Sequence, residues 1–138
     1  MKCFYLILYV IEESIFSLAV YYESGRLVDS VGGGICQVSS TLYNAVLRAE
    51  LEVVERSPHS MLVSYVQESA DAAIAGTYKD IKISNPYDTP IYIEGYTSGK
   101  KLTFTIYGKE TRPENRKVKF ESKTLQWISP GDPIEELD

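Results

Sequence analysis

The sequence predicts an α+β fold: one main helix following a Gly-rich loop, packed on a mostly antiparallel sheet of about five to six strands. Three observations predict it. Only one stretch, after Gly32-Gly33-Gly34, carries apolar residues at three- and four-residue steps. Downstream of it come six β-branched or aromatic runs, several alternating with period two. The aromatic residues are mostly Tyr, 11 against four Phe and one Trp, which suits half-buried strands.

At the N-terminus, Cys3 to Ile11 is an apolar run of nine residues, interrupted by Glu12 and Glu13 before Ile15 to Val20. A bilayer span needs about 20 such residues, so no transmembrane span is expected in this chain. Only Lys2 is available as a basic lead-in and no small-residue cleavage site follows, which leaves no clear signal peptide or anchor. The run reads as a buried strand or helix, with a weak targeting signal as the alternative. Residues 1–20 are therefore set apart as an apolar leader, the expected remnant of a missing N-terminal part.

From Tyr21, YYESGRLVDS reads as strand, turn and strand, and the glycine triplet then marks backbone that needs freedom. Ile35, Val38, Leu42, Ala45, Val46 and Ala49 place a helix over Ile35 to about Glu50. Ser39, Ser40, Thr41 and Asn44 lower its propensity, so packing must hold it. Strands are expected at Leu51–Arg56, Met61–Val66, Asp80–Ser84, Pro90–Tyr96, Lys101–Gly108 and Lys117–Ser122, arranged most economically as a meander. In KLTFTIY, Leu102, Phe104 and Ile106 share one face, which one helix can cover. Residues 21–110 form the domain proper, and 111–138 an appended strand with an acidic, linker-like tail.

Composition narrows the function. With 138 residues, 44% hydrophobic and 24% charged, the chain is long enough to bury a core without staples. Fourteen Lys+Arg against 19 Asp+Glu give a net charge of -5, the wrong sign for gripping nucleic acid. Two scattered cysteines and one histidine supply neither a disulfide framework nor a zinc centre, and no cofactor or metal is called for.

The chemistry-bearing motif is GGGICQ. A cysteine at a helix N-terminus sits among unpaired N–H groups at the positive end of the dipole, which favours a thiolate. Cys36 is therefore a candidate nucleophile, His59 its base and Asp71 the group that orients the imidazole, in the chain order of papain-like and transglutaminase-like enzymes. Gly33, Gly34 and Gln37 are candidates to hold an oxyanion, and Ser39 and Ser40 to meet substrate hydroxyls. The competing reading is structural throughout: Cys36 as a small buried residue, the glycines as a tight loop, the hydroxyls bonded back to the helix, and His59 and Asp71 as turn residues. The strand tyrosines Tyr65, Tyr78, Tyr92 and Tyr107 belong either to core edges or to an aromatic strip that binds sugars and peptides.

The run GGGICQVSSTLYNA, with VER-x-x-HS at Val54–Ser60, VSYV at Val63–Val66, the pair Asp71-Ala72, and NPYDTPIYIEGY, resembles the signature of the VanW family. These are bacterial cell-envelope proteins named from an accessory gene of a vancomycin-resistance cluster. The similarity runs from about Ser24 to Gly108. It departs where family members carry a longer N-terminal part and where Ser69–Ile74 replaces a Gly-x-Asp-Ala-Thr-Val strand, so the chain is expected to be clipped at both ends. The resemblance implies an envelope or extracellular setting and a link to glycopeptide resistance, with peptidoglycan, a cell-wall peptide or an envelope protein as partner. It brings no established reaction. Two functions follow: a non-catalytic binding or accessory module using the Tyr-bearing sheet, or a Cys-His-Asp amidase, peptidase or transpeptidase acting on cell-wall peptides.

Overall fold

The computed structural model describes residues 10–12, 19–23, 26–30 and 34–129. Within them lie seven strands and one helix: β1 (Val10–Glu12), β2 (Ala19–Glu23), β3 (Arg26–Ser30), α1 (Ile35–Arg48), β4 (Glu52–Arg56), β5 (Ile81–Ser84), β6 (Tyr92–Ser98) and β7 (Lys101–Tyr107). The fold is α+β, but the strands do not make one sheet. They divide into a three-stranded sheet in the order β1-β7-β6 and two two-stranded ribbons, β2-β3 and β4-β5, all antiparallel.

The helix packs across β7, whose alternation works as the sequence suggests: Leu102 and Ile106 are buried and Phe104 packs against the core. Ala45, Val46, Ala49 and Leu51 supply the other side. The helix stops without glycine. Glu50 takes the left-handed conformation (φ 54°), its N–H donates to Leu47 O and the Leu51 N–H reaches back to Val46 O, both at 3.1 Å, in a Schellman closure. Leu51 thereby joins Val46 in the core. The strained residue is held from outside, because Arg112 Nη1 (2.8 Å) and Arg116 Nε (2.7 Å) both donate to the Glu50 carboxylate.

Gly95 of β6 faces Phe104 across the ladder, and a Cβ there would sit 3.0 Å from Phe104 Cε1. The missing side chain lets the Phe104 ring approach the Gly95 backbone closely. On the other face of the same hairpin, Tyr92 and Tyr107 pair with ring centroids 6.0 Å apart, and Tyr92 and Tyr96 are about two-thirds exposed.

Two expected strands are absent. Met61–Val66 and Lys117–Ser122 are irregular, although both are β-branched or aromatic runs and the second alternates. Alternation describes any extended chain, and a strand also needs a ladder partner. Leu62 stays 77% exposed. In the second segment Phe120 lies under Arg48, whose guanidinium carbon is 5.0 Å from the ring centroid, so a side-chain stack stands where a ladder was expected. The meander also fails between β5 and β6. Asn85 bonds both Thr89 O (2.9 Å) and the Tyr87 N–H (3.1 Å), making a side-chain-closed turn, and Tyr87 Oη donates to Ala49 O at 2.8 Å. That turn carries the chain off the β4-β5 ribbon and onto the other sheet. Within the ribbon, β4 bulges between Val53 and Glu55.

Candidate functional site

The helix begins at the end of the glycine loop, with Gly34 as N-cap and no side-chain cap hydrogen bond, and the Gln37 and Val38 N–H groups both donate to Gly34 O at 3.1 Å. Cys36 and Gln37 lie in that first turn. Gly33 lies outside the described residues.

One face of α1 is polar and buried, and it is zipped to residues 70–74. Ser39 Oγ donates to Ala72 O at 2.6 Å, the Ala72 N–H donates to Ser40 Oγ at 2.9 Å, and Asn44 Nδ2 donates to Ala70 O at 2.7 Å. Ser40 and Ala72 are wholly buried. Cys36 extends the same row: its Sγ lies 3.5 Å from the Ile74 amide, which donates to it, and 3.6 Å from Ile74 O. The helix thus uses Cys36, Ser39, Ser40 and Asn44, spaced at three and four residues, to satisfy a segment that joins no sheet.

The strand end of β4 brings the other groups to the same segment. Asp71 accepts from Arg56 Nη2 (2.6 Å) through one oxygen, and through the other from both the backbone N–H and the Nδ1 of His59 (2.7 Å each). Arg56 Nε also donates to Asp71 O at 2.7 Å. Since a carboxylate only accepts, Nδ1 carries the proton, and the far nitrogen Nε2 faces the Tyr65 hydroxyl at 3.4 Å. Burial pushes the Asp71 carboxyl up, but the two His59 bonds and the Arg56 charge outweigh it and hold the group below the usual carboxylate range.

Of the expected triad, the structure therefore brings His59 and Asp71 into contact. Cys36 sits on the same segment three residues further on, at Ile74, and shares no hydrogen bond with His59. Ser39 and Ser40 spend their hydroxyls on Ala72. Sequence reading missed Arg56, signalled by its place three residues before His59 on the last position of a strand, and took Tyr65 for a strand tyrosine where it meets the His59 ring instead. Among the described residues, no cluster of His, Cys, Asp or Glu is able to hold a metal ion, and no helix is long and apolar enough to cross a membrane.

A family model described as "VanW like protein" matches residues 7–107. The chain belongs to the VanW-like family. The match starts well ahead of the glycine triplet and takes in part of the apolar leader, including β1. A VanW-like relative, the "Uncharacterized protein YoaR" of Bacillus subtilis (strain 168), is 43% identical over 86 residues. That stretch is 62% of this chain and 28% of the relative, so the VanW-like chain spans less than a third of the relative's length. No solved structure matches the VanW-like chain.

Proposed function

We propose that the chain is a non-catalytic accessory module of the bacterial cell envelope that binds peptidoglycan through the outer face of the β6-β7 hairpin. The supporting observation is how the reactive residues are used. Cys36, Ser39 and Ser40 each engage main-chain groups of residues 72–74, and a thiol or hydroxyl so engaged is a structural tie. Meanwhile Tyr92 and Tyr96 alternate on one open sheet face beside Glu94 and Tyr107. Flat rings flanked by hydrogen-bonding groups suit the apolar faces and hydroxyls of a glycan. The envelope setting, at the outer face of the membrane, and the tie to vancomycin resistance rest on the family resemblance.

Co-sedimentation with purified sacculi tests this reading. Wild type and Cys36→Ala pellet alike, whereas the double variant Tyr92→Ala/Tyr96→Ala stays in the supernatant. Release of soluble wall fragments by wild type but not by Cys36→Ala would sink it.

One observation favours the second reading, a thiol amidase, peptidase or transpeptidase. The His59 Nδ1 to Asp71 contact at 2.7 Å is the half of a triad that fixes the imidazole tautomer. In that reading Cys36 leaves Ile74 to meet Nε2, and the backbone amides of Gly34 to Cys36 with the Gln37 side chain receive the oxyanion. Alkylation of Cys36 at pH 6 that is fast in wild type and slow in His59→Ala supports it, and equal slow labelling in both removes it.

A further inference from the structure

Beside the Arg56–Asp71–His59 cluster runs a groove of about 560 Å³, within the range of about 300–1,000 Å³ common for ligand sites. Residues 58–63 and 67–69 form one wall and residues 122–126 the other. The second wall is drawn from beyond the family match, which ends at residue 107. It is pinned where it arrives: Ser122 Oγ donates to Glu68 O at 2.5 Å, Phe120 stacks on Arg48, and Arg112 and Arg116 hold Glu50.

We propose that this groove binds a short extended peptide, which adds main-chain hydrogen bonds to both walls. Residues 61–63 and 123–126 are extended or irregular chain whose N–H and C=O groups bond to no other described backbone. Neither wall is a strand, but unbonded main-chain groups on both sides of one groove can supply the ladder partner that an extended guest needs. The side chains fit the same occupant. Leu62 and Leu125 are 77% and 90% exposed, leaving apolar surface on each wall for alternate side chains of a guest. Arg56 and Asp71 in the lining neutralise each other at 2.6 Å, and the remaining Lys123 and Glu68 are one charge of each sign, which suits a peptide carrying both signs and disfavours a polyanion. The site is separate from the Tyr-bearing hairpin face, so it stands or falls without peptidoglycan binding.

The sole tryptophan, Trp127, is 86% exposed just past Leu125 and reports on the second wall. The full chain is titrated with an equimolar pool of end-blocked hexapeptides alternating Leu with Lys or Glu, up to about 1 mM. A saturable change in Trp127 fluorescence is expected. The same pool N-methylated at alternate residues, which removes main-chain donors and keeps side chains, binds at least about tenfold more weakly, as does Leu62→Asp with the unmodified pool. Leu62 is a surface residue, and an unchanged circular dichroism spectrum checks that Leu62→Asp stays folded. No saturable response in wild type, or equal binding of the N-methylated pool, or equal binding by Leu62→Asp, overturns the proposal.

Discussion

Ser40→Ala tests the tie between α1 and the 70–74 segment, because the hydroxyl serves a buried group that has no other acceptor. Ala72 is fully buried, and its N–H donates to Ser40 Oγ at 2.9 Å. Removing the hydroxyl leaves that N–H unsatisfied, a cost of about 1–3 kcal/mol. Alanine's better helix propensity returns about 0.5 kcal/mol, so a net loss of about 1–2 kcal/mol is expected. Ser39→Ala is the internal control. It removes a donor to Ala72 O, but Ser40 Oγ still lies 3.3 Å from that oxygen, so the carbonyl keeps a partner. Its expected cost is about 0–1 kcal/mol after the same propensity gain. Urea unfolding followed by circular dichroism measures both. The double variant strips Ala72 of both partners and should exceed the sum of the singles, since the two hydroxyls share one peptide unit. If Ser40→Ala costs no more than Ser39→Ala, or the two simply add, the account of a buried polar zipper is wrong.

Asp71→Asn keeps the shape and removes the charge that Arg56 and His59 share; a loss of about 2–3 kcal/mol is expected by urea unfolding, the range for hydrogen bonds to a charged group. Because the Asp71 carboxyl is depressed when folded, its contribution is complete above the ordinary value of about 3.9 and fades as pH falls through the folded value, so Asp71→Asn should also flatten the acid limb of stability. Glu50 behaves alike for a different reason: Arg116 and then Arg112 lower it to about 2, so its contribution is lost between about pH 4.3 and 2. With Glu50 partly exposed, solvent screening holds the effect of Glu50→Gln to about 1 kcal/mol. Gly95→Ala sets a methyl 3.0 Å from the Phe104 ring and should cost about 1–3 kcal/mol in thermal unfolding, with Gly99→Ala no guide to it because space there is open.

What the sequence made legible is what periodicity encodes. The helix over Ile35 onward and the inward set Leu102, Phe104 and Ile106 need only a 3.6 or a 2.0 repeat, and both are found where those repeats lie. The helix end was harder, since the usual glycine is replaced by Glu50, whose left-handed backbone is held by arginines more than 60 residues away. Met61–Val66 and Lys117–Ser122 failed because strand formation depends on a partner that no local pattern names.

The site shows the same limit at closer range. Residue type picked out Cys36, His59 and Asp71; Cys36 meets Ile74 and His59 meets Asp71, which lies on the same segment. It did not show which atoms meet. Ala70 to Ile74 belongs to no sheet, and beyond the main-chain bonds from the Ala70 N–H to Gln67 O and from the Ala73 N–H to Ser57 O it finds its hydrogen bonds among side chains. The polar stripe of α1, which looked like low helix propensity in the sequence, is the answer to that demand, and Cys36 is its first member. The role of the thiol is therefore tied to the same zipper that Ser40 holds. If Cys36 is structural, Cys36→Ala should loosen residues 72–74 in hydrogen exchange together with Ser40→Ala. If instead it is poised to react, its contact with Ile74 is a resting position, and Cys36→Ala should leave the exchange of that segment unchanged.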